Sequence, residues 1–185
     1  MAEADLTQDE ADALIVLPKI RGNHETTYYP DRGGILIIPL VSTDKKENFL
    51  LDIKRGRIDL MKVTYQNRAR QAVILIRLDL GGAPHRNPDG EEILCPHLHI
   101  YREGYGDRWA GTVPSESFVD TGDLRQSMTD FMRYCNITEP PDIQKGILEW
   151  TRKKVAPRYS LWVTLGYRFA IPDTKPRNKS GLRGD

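Results

Sequence analysis

The sequence predicts an α+β fold: an antiparallel β-sheet of about five or six strands, with an N-terminal helix and C-terminal helices packed on one face. Three observations lead there. Strand-like segments follow one another from Phe49 to Leu80 with only short turn-rich breaks, the spacing of a meander. A capped helical segment opens the chain near Thr7. The C-terminal third changes to an apolar spacing near 3.6 residues.

Taken in order, Thr7 to Leu17 places Asp9, Glu10 and Asp12 early and Leu14, Ile15 and Leu17 late. Thr7 and Glu10 have capping-box spacing, and Pro18 marks the end. Thr26 to Tyr29 is β-rich, and Pro30 to Gly34 is a turn. Ile35 to Ser42 carries too many apolar residues for one wet face, which predicts a central strand or one covered on both sides. Phe49 to Lys54, Ile58 to Arg68 and Gln71 to Leu80 are the meander strands. A turn-rich connection, Gly81 to Gly90, leads to a strand over Ile93 to Glu103, which Gly104-Tyr105-Gly106-Asp107 ends. Leu124, Met128, Phe131 and Met132 predict a helix within Gly122 to Tyr134. Pro140 and Pro141 start another, with Ile143, Ile147, Leu148 and Trp150 as its stripe. Tyr159 to Phe169 is expected to be a final strand. Residues 1–173 are expected to form a single domain, and the Pro-, Lys-, Arg- and Gly-rich residues 174–185 a basic disordered tail.

Composition bounds the function classes. The 185 residues are 39% hydrophobic and 29% charged, enough to bury a core, and no apolar run approaches the 18 residues of a membrane span. Met1 to Asp12 is acidic and lacks the basic and apolar regions of a signal peptide, so a cytoplasmic protein with no membrane role is expected. Cys95 and Cys135 are too few for a disulfide framework and read as free thiols, Cys135 as a buried one at a helix end. Net charge is +1, but Lys45 to Arg70 and the part from Arg152 onward are basic while the first thirty residues are acidic. Either these charges pair or they form a surface for a polyanion such as RNA.

The residues that carry chemistry lie on the strand Leu94 to Glu103. Strand alternation puts Cys95, His97, His99 and Tyr101 on one face, and Leu94, Pro96, Leu98 and Ile100 on the other. On the preceding strand Arg77 and Asp79 share a face with Val73 and Leu75, opposite Ile74, Ile76, Leu78 and Leu80. On the strand before that, Lys62, Thr64, Gln66 and Arg68 share a face. If these strands are neighbours, one sheet face presents His97, His99, Tyr101, Arg77, Asp79 and Lys62. Three readings compete. In the first, His97 and His99 are acid and base for metal-independent RNA cleavage, Arg77 and Lys62 stabilise phosphate charge, and Asp79 orients a histidine. In the second, His97 and His99 hold zinc with Cys95 or His85 nearby. In the third, the histidines are hydrogen-bonded residues of a half-buried sheet and no cofactor is present. Pro84 to Gly90 either closes a loop or brings His85, Arg86 and Asp89 to the site. Arg102, Tyr105 and Arg108 flank it, and Tyr105 and Trp109 are either loop anchors or stacking platforms. No P-loop, Rossmann, nucleophile-elbow or zinc-finger pattern is present.

Arg77-Leu78-Asp79, Pro84-His85-Arg86-Asn87-Pro88-Asp89-Gly90 and Pro96-His97-Leu98-His99-Ile100-Tyr101 through Arg108-Trp109-Ala110 together resemble an uncharacterised bacterial and phage family of unknown function. The likeness runs from about Phe49 to Asn136. An Arg-Leu-Asp strand, a Pro-His loop and a Pro-His-x-His strand are also similar, more distantly, to the TumE-type toxins of toxin–antitoxin pairs. That resemblance implies a small α+β protein that cleaves RNA, and points to Arg77, Asp79, His85, His97 and His99. The expectation is therefore an RNA-directed, toxin-like or phage–host conflict protein. The alternatives are a non-enzymatic inhibitor that binds a protein partner in such conflict, and a zinc protein.

Overall fold

The computed structural model describes residues 6–144. In chain order its elements are α1 (Gln8–Val16), β1 (Lys19–Arg21), β2 (Thr27–Tyr28), β3 (Ile35–Ser42), β4 (Asn48–Arg55), β5 (Val63–Ala69), β6 (Val73–Leu80), β7 (His85–Arg86), β8 (Glu92–Ile93), β9 (His97–Ile100), β10 (Ala110–Thr112), α2 (Leu124–Tyr134), β11 (Ile137–Glu139) and β12 (Ile143–Gln144). Among the described residues the main sheet has eight strands, in the order β10-β9-β6-β5-β4-β3-β1-β11. Strands β3 to β6 form the expected meander, each antiparallel to the next. The hairpin between β5 and β6 turns at Arg70 and Gln71, both at positive φ (48° and 66°), the conformation that matches strand twist.

One face of this sheet is the core. Ile38, Leu40, Phe49, Leu51, Ile53, Tyr65 and Leu78 are buried there together with Leu98. Helix α2, capped by the Asp123 carboxylate on the Arg125 and Gln126 amides, covers it with Phe131, whose ring lies 5.8 Å from that of Tyr65. Helix α1, held by the Thr7–Glu10 capping box, adds Ala11 and Leu14 to the same cluster. Fully burying a side chain such as Leu51 or Phe131 stabilises the fold by about 1.5–3 kcal/mol. Among the described residues no helix is long and apolar enough to cross a membrane.

Several expectations need correction. Eight strands replace five or six, because β1, β10 and β11 are only three residues long and show no readable period. The sheet is mixed, since β1 pairs with β11 in parallel. Only Val63–Ala69 of the segment Ile58 to Arg68 is a strand; the Asp59 carboxylate accepts from the Met61 amide and folds the preceding residues into a turn, leaving Ile58 exposed. The strand expected over Ile93 to Glu103 is two short ones, and Leu94 is 73% exposed rather than on an apolar face. Strand β3 is not covered on both sides, since Ile35 and Ile37 are 58% and 53% exposed. A register shift sets Ile74 opposite Arg68 but Ile76 opposite Asn67, so these two residues point to opposite faces and the simple alternation fails around Leu75. Ile143, expected in a helix, pairs in strand β12 with Thr27. The remainder of that helix, the strand Tyr159 to Phe169 and the tail lie outside the described residues.

Candidate functional site

The register builds the site on the open face of the sheet. Arg77 on β6 sits opposite His99 on β9, and Asp79 opposite His97. Thr64 on β5 is opposite Asp79 from the other side. Partners in adjacent strands share a face, so these five side chains converge from three strands. The β7–β8 hairpin then brings in His85. Its buried Asn87 fixes the hairpin to β10: the Asn87 Oδ1 accepts from the Ala110 amide (2.8 Å) and its Nδ2 donates to the Ala110 carbonyl (2.9 Å).

Three imidazoles thus meet. Ring centroids are 4.6 Å apart for His85 and His99, 5.0 Å for His97 and His99, and 5.7 Å for His85 and His97. One ligand nitrogen from each lies within 4.8 Å of the others, a set able to hold a metal ion. A backbone carbonyl can only accept, which assigns two ring protons. His99 donates from Nδ1 to the Asp107 carbonyl (2.8 Å), and His85 donates from Nε2 to the Arg108 carbonyl (2.9 Å). In that tautomer the lone pairs are on His99 Nε2 and His85 Nδ1. His97 is buried, and its Nδ1 meets no partner at full hydrogen-bond geometry.

Charges surround the rings. Arg77 donates from Nε to Asp79 Oδ2 (3.0 Å), from Nη1 to the Asp107 carboxylate, and from Nη2 to His99 Nε2 (2.9 Å). Thr64 donates to Asp79 Oδ1 (2.5 Å). The Asp79 carboxylate lies 3.5 Å from His97 Nε2 and 3.4 Å from His99 Nε2. Burial acts to raise the Asp79 pKa, but the neighbouring His99 ring, the Thr64 hydrogen bond and the Arg77 charge outweigh it and hold the group well below the usual carboxylate range. Burial lowers the His97 pKa, helped by the neighbouring His99 and opposed by Asp79.

The other expected residues fall in different places. Cys95 is not a fourth member of the cluster. Its thiol donates to the Asp79 carbonyl (3.3 Å), and burial and the Asp79 charge push its pKa up, with Lys62 only partly offsetting them. Lys62 is exposed in the turn before β5. Arg86 is exposed and paired with Glu92 at 3.1 Å. Tyr101, expected on the histidine face as a substrate contact, is instead a core residue: its hydroxyl accepts from the Leu6 amide (2.9 Å) and donates to the Leu6 carbonyl (2.8 Å). Arg102 lies over the Trp109 ring (4.1 Å) and Tyr105 meets that ring edge-on (5.8 Å), which makes Trp109 the anchor of this loop. Arg108 is exposed beside His85 and supplies its carbonyl. Sequence reasoning missed Asp107, Thr64 and Asn87 as parts of the site. Asp107 read as a strand stop and Asn87 as turn chemistry, while Thr64 was placed on the correct face without a role.

His97 and His99 project from the same face of one short strand, so a bound group meets both from one side. That geometry suits convergence on a single centre better than an acid and a base placed on opposite sides of a phosphorus atom.

Neither a comparison with curated proteins nor one with solved structures finds a match for the chain. The family match begins at Leu6, well before Phe49, so α1 and β1 to β3 are part of the shared unit rather than an addition to it. The chain belongs to the family of unknown function DUF6978, which matches residues 6–137.

Proposed function

We propose that this protein is an RNA-directed, toxin-like enzyme that cleaves phosphodiester bonds at the Arg77–Asp79–His85–His97–His99 cluster. The supporting observation is the convergence itself: three imidazoles, a guanidinium and a carboxylate from three strands and a hairpin. Buried groups of this kind are costly to assemble and concentrate where chemistry is done. Lys62, Arg86 and Arg108 are exposed and would supply cations for a nucleic-acid backbone.

The test is incubation of purified wild type and Arg77→Gln with total RNA, after circular dichroism has shown that both fold. Wild-type cleavage that falls steeply with added salt, and is lost in the variant, supports the reading. An intact RNA pool, or equal cleavage by both proteins, overturns it. A second reading draws on Ile35 and Ile37, exposed at 58% and 53% on the same open face. These would serve a protein-binding inhibitor, whose association would be nearly insensitive to salt.

A further inference from the structure

The geometry points to a transition-metal site of the zinc type with His85, His97 and His99 as its three ligands. This deepens the reading of the same face as a hydrolytic centre. It also alters the expected ligand set, putting His85 in place of Cys95.

Four observations carry it. First, the three ligand nitrogens already lie within 4.8 Å of one another. Around a tetrahedral ion at about 2.0–2.1 Å they would be roughly 3.3 Å apart, so small ring rotations complete the site. Second, two of the rings are oriented as metal-binding histidines are. His99 Nδ1 and His85 Nε2 each donate to a backbone carbonyl, from the consecutive residues Asp107 and Arg108, which turns the opposite nitrogens' lone pairs free for a cation. Third, the buried His97 Nδ1 meets no partner at full hydrogen-bond geometry, the Leu94 backbone being the neighbour that acts on the ring. A buried polar atom left unpaired is costly, and a bound ion would remove that cost by drawing the ring into coordination. Fourth, the local charge suits a dication. Two carboxylates, Asp79 and Asp107, flank the rings against the single guanidinium of Arg77.

Arg77 donates to His99 Nε2, the lone pair the ion would use. It keeps two carboxylate partners when that contact is given up, so the guanidinium guards the position in the metal-free protein and is not stranded in the loaded one. Cys95 stays outside because its thiol is bonded to the Asp79 carbonyl and it is not among the side chains that converge. An all-imidazole set selects borderline metals such as zinc and cobalt over magnesium or calcium, and three protein ligands leave a coordination position for water or a substrate oxygen.

The test is titration of chelator-treated full-length protein with Zn²⁺ by calorimetry and with Co²⁺ by visible absorption. One equivalent is expected, with the intense visible bands of four-coordinate cobalt. His85→Ala, at a half-buried hairpin position, is expected to weaken Zn²⁺ binding by at least about tenfold, and Cys95→Ser to leave it unchanged. His97→Ala provides a second ligand variant, read only after its fold is verified. No saturable Zn²⁺ or Co²⁺ binding by folded wild type, or unchanged binding in His85→Ala, overturns the site. RNA cleavage is scored separately. Stoichiometric zinc with intact RNA rejects the nuclease and keeps the metal site. Cleavage that persists in chelator with no bound metal does the reverse.

Discussion

Two buried polar regions of this protein differ in one respect. At the Lys19 corner every donor has a partner. Lys19 is 0% exposed, and its Nζ donates to the carbonyls of Ile15 (2.9 Å), Leu17 (2.9 Å) and Cys135 (3.1 Å) while lying 4.7 Å from the centre of the Phe49 ring. An ammonium has three donors, and all three are used on the terminal carbonyls of α1 and α2. At the histidine cluster His99 is 0% and His97 4% exposed, yet His97 Nδ1 meets no partner at full hydrogen-bond geometry. The first region is complete as a structural joint. Under the proposed zinc site the second would be completed by the bound ion, which would set a polar group kept for function apart from one kept for stability.

The sharpest way to break this comparison is Lys19→Met. It leaves three carbonyls without their donor and should destabilise the protein by about 3 kcal/mol in urea unfolding, with zinc binding of the surviving folded fraction unchanged. Lys19 also has a pH signature. Burial lowers its pKa from 10.5 to about 8 in the folded protein. Below pH 8 both states hold the proton; between about 8 and 10.5 the unfolded chain binds more, so stability rises with pH across that window. Unfolding curves at pH 8 and 10 should show this rise in wild type and a smaller one in Lys19→Met.

Asp79→Asn should give the next largest effect, with the same sign but in the acid range. The folded carboxyl lies below its ordinary value of 3.8, so its contribution is present above that pH and lost as pH falls through the folded-state value. Wild type should lose about 2 kcal/mol relative to the variant on going from pH 6 to pH 2, measured by acid unfolding. Parallel acid curves would mean that Thr64 and Arg77 do not hold the carboxylate as the geometry indicates. Tyr101→Phe removes the two Leu6 contacts and should cost about 1 kcal/mol, with zinc binding and RNA cleavage both intact. A loss of either activity would return Tyr101 to the site. The smallest effect is expected for His97→Leu. Replacing a ring whose Nδ1 meets no partner at full hydrogen-bond geometry by an apolar side chain of similar size should change stability by less than about 1 kcal/mol, in either direction, while zinc binding is lost. A cost near that of Lys19→Met would make His97 a structural residue and remove the contrast.

Much of this arrangement was legible in the sequence, and the limits have physical causes. The meander was readable because β3 to β6 are long enough to show a period, and α1 because its capping box is a local signal. Period-two reasoning also set His97, His99, Arg77 and Asp79 on one face, which the register bears out. What failed was non-local or very short. β10 and β11 have three residues each and exist only through their partners. The wet side of β3 read as buried because apolar content does not say which neighbours a strand has, and Ile35 and Ile37 are in fact exposed. Tyr101 kept the parity of the histidines, but lies just past the end of β9, where contact with Leu6 draws it into the core. Asp107 and Arg108 act through backbone carbonyls, for which side-chain identity carries no signal.

The central claim is tested most directly by a crystal structure of the protein grown with zinc, with anomalous difference maps recorded on both sides of the zinc absorption edge. The account predicts one strong peak about 2.0–2.1 Å from a nitrogen of each of His85, His97 and His99, with the Lys19 corner unchanged. A map with no peak there, or with peaks only on surface carboxylates while the three rings keep their metal-free contacts, would contradict it.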